Sequence, residues 1–139
     1  MRKTLSVLFA IAALAMPAQG QTPESIFRDY EDMRSNLDRM MMAREIEAVL
    51  RAFGASDEMT DEELKTLEHR VRSIFPFDFR HVHVLKTDDM GEGWRRELYA
   101  YWAGVSYIYA TVLFHERDGE LVAISFKFNT DIDALIEVF

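Results

Sequence analysis

Apolar positions along the chain fall into two regimes, helical first and alternating afterwards. Ile26, Tyr30, Met33, Leu37 and Met40 recur at spacings of four and three, which is one face of a helix. Thr22-Pro23-Glu24 offers the start of that helix: an N-cap hydroxyl, a proline in the first turn and an acid near the positive end. The stripe then changes phase to Met42, Ile46, Val49 and Phe53, which predicts a kink or break at Ser35-Asn36. Gly54 is placed as the left-handed cap of the second helix. Thr60-Asp61-Glu62-Glu63 reads as a capping box opening a third helix, with Leu64, Leu67, Val71 and Ile74 on its apolar face and Pro76 as its stop.

From Phe77 the period becomes two. Four strands are predicted: Phe77–Leu85, Trp94–Trp102, Val105–Glu116 and Leu121–Phe128. Residues Lys86–Gly93 form a polar loop and Asp118-Gly119 a two-residue hairpin turn. At Ala103-Gly104 the glycine is either the first central residue of a type II′ turn or the second of another type. After Asn129-Thr130, the spacing of Ile132, Leu135, Ile136 and Phe139 predicts a short terminal helix over Asp131–Phe139. The expected class is α+β, with N-terminal helices packed on a curved four-stranded antiparallel sheet and a short C-terminal helix.

Carrying strand parity across the hairpins puts Trp94, Arg96, Leu98, Trp102, Tyr107, Tyr109, Thr111, Leu113, Phe126 and Phe128 on one face. Phe77, Phe79, His81 and His83 join them, and the helices are expected to cover this face. Its polar members make the candidate ligand-binding set: Arg96, His81, His83 and Thr111, completed by Tyr109 and Trp94. A guanidinium on a covered face needs a partner, because an unpaired buried charge is very costly. That partner is either a helix carboxylate (Glu31, Glu45 or Glu47) or a small anionic or amphipathic ligand held by the bidentate fork. The opposite face carries Tyr99, Tyr101, Ile108, Val112 and Phe114, too apolar a set to leave in water. The terminal helix is too short to cover it, so a homodimer through this face is expected, with Arg95, Glu97 and Lys127 at the rim.

Composition narrows the chemistry. The 139 residues carry a net charge of −8 and no cysteine, so disulfides and thiolate-bound metals are excluded. The acidic balance argues against a nucleic-acid partner. Arg2 and Lys3, the apolar run Leu5–Met16, Pro17 and the small residues Ala18 and Gly20 read as a signal peptide over residues 1–20, cleaved before Gln21. Residues 21–139 are then one domain, expected in the periplasm, with secretion as the alternative and no membrane attachment after cleavage. His81-x-His83 projects two imidazoles to one side of a strand, but a zinc site needs a third ligand, and His115 or His69 would have to converge on it. Met40-Met41-Met42 sits at core spacing and reads as packing rather than a copper site. No metal or cofactor is expected, and no serine or cysteine triad, phosphate loop, zinc-protease or calcium-loop motif is found.

Three segments carry a family likeness: Tyr101-Trp102-Ala103-Gly104-Val105-Ser106-Tyr107, Phe114-His115-Glu116-Arg117-Asp118-Gly119 and Ile124-Ser125-Phe126-Lys127-Phe128-Asn129. With helices ahead of them, they resemble the superfamily of nuclear transport factor two, SnoaL cyclases and ketosteroid isomerase, in its small exported members of unknown function. The resemblance implies a pocket between helices and sheet, frequent pairing through the sheet and, in the isomerases, an acidic base on the covered face. No Asp or Glu falls on the face expected to be covered, so that mechanism is not carried over. The expected function is a non-enzymatic ligand-pocket or protein-interaction module. The alternative is a cyclase- or isomerase-like enzyme with His81 or His83 as general base.

Overall fold

The computed structural model of the chain describes residues 25–54, 58–137 and 139. The expected signal peptide, the expected cleavage site and Thr22-Pro23-Glu24 lie outside the described residues. The chain forms a two-residue strand β1 (Ile26–Phe27), helices α1 (Tyr30–Met42), α2 (Ile46–Ala52) and α3 (Asp61–Ile74), then strands β2 (His81–Gly91), β3 (Trp94–Ala103), β4 (Ser106–Arg117) and β5 (Glu120–Asn129), and a last helix α4 (Ile132–Ile136). The strands make one antiparallel sheet in the order β1-β5-β4-β3-β2. The class is α+β. None of the helices among the described residues is long and apolar enough to cross a membrane.

Sheet pairing, not helix formation, claims the first apolar residues. Ile26 and Phe27 pair with Val122 and Leu121, adding a fifth strand that the helical spacing concealed. α1 starts instead at Asp29, whose carboxylate accepts from the Asp32 amide at 2.8 Å. The expected kink at Ser35-Asn36 is absent. Both side chains bond back to the Asp32 carbonyl, at 3.2 and 2.8 Å, and the helix continues to Met42. The phase change is taken up at Ala43–Glu45, where Arg44 adopts φ +59°. Gly54 lies just past α2 at φ +80°, and Thr60 and Glu63 form the reciprocal capping box of α3.

The first long strand starts four residues later than expected and runs through the expected loop. The Phe75–Arg80 connector is tied down by backbone bonds from Phe79 N–H to the Met42 carbonyl and from Arg80 N–H to the Trp102 carbonyl, both 2.9 Å. β2 then stays paired with β3 as far as Gly91, accommodating its polar residues with irregularities at Leu85 and Met90. Three tight turns join the strands. Glu92-Gly93 and Asp118-Gly119 have positive φ at both central residues, and Gly104 is the first central residue of its turn, at φ +61°.

The helices α1–α3 cover the face opposite to the one parity assigned. Tyr99, Tyr101, Ile108, Val112 and Phe114, expected as a dimer interface, are fully buried in the main core beside Met33, Leu37, Met41, Val49 and Leu64. Two local features reverse the assignment. A bulge between Leu113 and Phe114 shifts the register of β5, so Phe126 and Phe128 share a face with Val112 and Ala110 rather than with Leu113. Phe79 is indeed buried, but it precedes β2 and packs on Phe75 at a centroid distance of 5.1 Å, so its parity says nothing about the strand. Phe77 is 77% exposed.

Candidate functional site

Two groups of polar residues stand out, one inside and one outside. The inner group is built on Glu97, which is 4% exposed on the covered face of β3, where the parity reading allowed no acid. Its Oε1 accepts from the hydroxyls of Tyr30 and Tyr99, at 2.7 and 2.8 Å, and its Oε2 from Thr87 at 3.0 Å. One turn along α1 from Tyr30, the Arg34 guanidinium donates to the Tyr30 hydroxyl and to Asp38, each at 3.0 Å, and lies 4.7 Å over the Tyr99 ring. Asp38 also accepts from the Tyr101 hydroxyl at 2.8 Å. Arg95 closes the group, its guanidinium 5.0 Å from both the Tyr30 and Phe114 rings.

Electrostatics follow from that enclosure. Burial and then the Glu97 carboxylate hold the Tyr99 phenol far above its ordinary range. Burial and then Asp38 do the same for Tyr101. Tyr30 is raised by burial and by its bond to Glu97, with Arg34 pulling the other way. Burial disfavours the Arg34 charge, but Tyr30 and Asp38 outweigh it and the guanidinium stays protonated. Each carboxylate oxygen of Glu97 and Asp38 thus points at a donor of this same group. The cluster ties α1 to the sheet, and its bonds are directed inward.

The outer group occupies the sheet face away from α1–α3. Cross-strand register sets its residues in rows: His81–Trp102–Tyr107, then His83–Ala100–Tyr109–Asn129, then Lys86–Leu98–Thr111–Lys127, then Asp88–Arg96–Leu113–Ser125. A last row holds Trp94, His115 and Val122. All six sequence-predicted ligand residues are here, so they do share one face, but it is not the face between helices and sheet. His81 and His83 are exposed on the edge strand, and Thr111 is buried. The rings of His81, Trp102, Tyr107 and Tyr109 stack successively at 5.3, 5.9 and 6.3 Å, and Trp94 stacks on His115 at 4.1 Å.

Arg96 stands on the sheet face away from α1–α3, which carry the helix carboxylates proposed for it. Glu45 and Glu47 pair within the helical layer, with Arg39 and Arg51. The Arg96 guanidinium instead lies 5.9 Å from the Phe139 ring, which also receives the Lys86 ammonium at 4.7 Å. Lys86 and Lys127 were missed: the first stood in an expected loop, the second on the wrong side of the bulge. Among the described residues no cluster of three or more His, Asp or Glu is arranged to hold a metal ion. His69 is exposed on α3, and His115 is engaged with Trp94 and the Glu92 carbonyl. Comparison of the chain with family models, curated proteins and solved structures yields no match.

Proposed function

We propose that the chain is an exported, non-enzymatic binding module whose ligand surface is the sheet face away from α1–α3, and that the ligand is a small amphipathic anion. The observation that carries this reading is the row Lys86–Leu98–Thr111–Lys127 beside the row Asp88–Arg96–Leu113: three cations and one acid around Leu98, Thr111 and Leu113, on a protein of net charge −8. A carboxylate with a hydrocarbon tail matches that surface, its charge meeting the guanidinium fork and its tail the leucines. The likeness to the nuclear-transport-factor-two superfamily belongs to the same reading, supported by helices that precede an antiparallel meander. Its usual pocket between helices and sheet is here occupied by Tyr99, Tyr101, Phe114 and the Glu97 cluster. The enzyme alternative required a histidine base in that pocket, whereas His81 and His83 stand on the opposite face at the sheet edge. Export rests on the pattern of residues 1–20.

Both tryptophans lie on the proposed surface, so intrinsic fluorescence reports on it directly. Titration with decanoate below its aggregation concentration is expected to give a saturable change in emission, weakened about tenfold in Arg96→Ala, the loss of one charge-assisted contact. An unchanged spectrum, or equal affinity in a folded Arg96→Ala variant, would refute the assignment.

A further inference from the structure

Leu98, Ala100 and Thr111 belong to the face that α1–α3 do not touch, yet each is buried. The cover comes from α4 and Phe139. α4 packs against β4 and β5, and the Phe139 ring reaches across to Lys86 and Arg96 on β2 and β3. This strap and its floor differ in sign, the strap carrying Asp131, Asp133 and Glu137 and the floor Lys86, Arg96 and Lys127, and the contact between them runs through the Phe139 ring. The two match in polarity, with Leu135 buried and an aromatic ring between two cations.

The attachment of the strap is slight. α4 has five residues, too few to be stable as an isolated helix. Its start is fixed by three local bonds, Asp131 N–H to the Asn129 side chain at 2.8 Å, Asp133 N–H to the Asp131 carboxylate at 3.0 Å and Ala134 N–H to the Asp131 carbonyl at 3.3 Å. Within α4 only Leu135 is buried, while Ile136 is 46% exposed. A segment with so few buried contacts opens far more readily than the sheet beneath it.

We propose that α4 and Phe139 form a displaceable strap that occupies the ligand surface in cis, so that an amphipathic carboxylate binds by lifting it. The inference rests on the function proposed above, and assigns to that site its competitor. The strap sets the Phe139 ring against Lys86 and Arg96, two of the cations that the ligand uses, and α4 against β4 and β5 beside them. Apparent affinity is then the intrinsic affinity scaled by the fraction of molecules with the strap open. Mutations that loosen the strap without touching the floor raise affinity; a strap that served as a wall of the site would do the reverse.

Calorimetric titration of decanoate into the purified full chain, its Leu135→Ala and Phe139→Ala variants, and each combined with Arg96→Ala separates these cases. Each strap variant is expected to bind about five- to tenfold more tightly than wild type, with the gain lost when Arg96 is removed. Hydrogen exchange on the wild-type protein gives the same answer without mutation: α4 amides are expected to exchange faster when decanoate is bound. Wild-type binding with equal or weaker affinity in both variants, or slower α4 exchange on binding, would overturn the strap while leaving the ligand surface standing. Absence of binding in all proteins would instead overturn the functional reading, and the strap with it.

Discussion

Glu97 offers the sharpest test of what fastens α1 to the sheet. Its Oε1 accepts from two phenols at 2.7 and 2.8 Å, and its Oε2 from the Thr87 hydroxyl at 3.0 Å. Glu97→Ala removes all three acceptor contacts and leaves the Tyr99 hydroxyl, on a fully buried side chain, without its partner. Hydrogen bonds to a charged group contribute about 1.5–3 kcal/mol each, and a stranded buried hydroxyl costs about 1–3 kcal/mol more. Against this stands relief of the cost of burying a carboxylate, so the net loss is expected at about 3–5 kcal/mol. Glu97→Gln should behave differently. The amide oxygen can take the place of Oε1 and keep both phenols, while the amide nitrogen donates to Thr87, whose hydroxyl can accept as well as donate. What is lost is the charge assistance, about 1–2 kcal/mol. Urea unfolding followed by far-ultraviolet circular dichroism measures both, provided the slope of the transition is unchanged. If Gln is as damaging as Ala, the negative charge near Arg34 and Arg95 carries the cluster and the reasoning from acceptor count is refuted. An Ala variant within about 1 kcal/mol of wild type would mean that the network adds nothing.

The buried phenols predict the direction of pH dependence. Tyr99 and Tyr101 have raised values in the fold, so their contribution is complete below the ordinary phenol range near 10 and is lost as pH rises beyond it, because the unfolded chain ionises first. Stability should fall by about 1.4 kcal/mol per pH unit for each, and absorbance at about 295 nm should show both ionising only as the protein unfolds; a gradual titration of these phenols in the native state would contradict their burial. Val112→Asp should unfold the chain rather than alter its association, since it sets a carboxylate among fully buried apolar neighbours. A folded Val112→Asp protein with a changed sedimentation coefficient would restore the interface that strand parity suggested.

Much of the local structure was legible because it rests on short-range chemistry. The capping box at Thr60, the stop before Pro76, the Asp118-Gly119 hairpin and the left-handed Gly54 each depend on residues within a few positions of one another. Layer order was legible for the same reason, since period 3.6 and period 2 segregate along the chain. What failed was long-range sidedness. Parity is exact only in a regular ladder, and the bulge at Leu113/Phe114 moved Phe126 and Phe128 to the other face. Both faces are rich in aromatics, so composition could not correct the slip. A face holding Tyr99, Tyr101 and Glu97 looks like a rim until Tyr30, Thr87, Arg34 and Asp38 are known to meet those groups. The grouping of His81, His83, Trp94, Arg96, Tyr109 and Thr111 on one face did not depend on that error, because strand register alone sets it, whichever side the helices take.

The central claim is that binding occurs on the sheet face away from α1–α3. Amide and indole chemical-shift mapping of the isotope-labelled protein during a decanoate titration tests it residue by residue. The account predicts perturbations concentrated at the Trp94 and Trp102 indoles, Lys86, Arg96, Thr111, Lys127 and Leu135, with Ile46, Val49 and Leu64 of the helical layer unmoved. Shifts confined to α1–α3 and the Glu97 cluster, with the Arg96 and Thr111 signals unchanged, would contradict it.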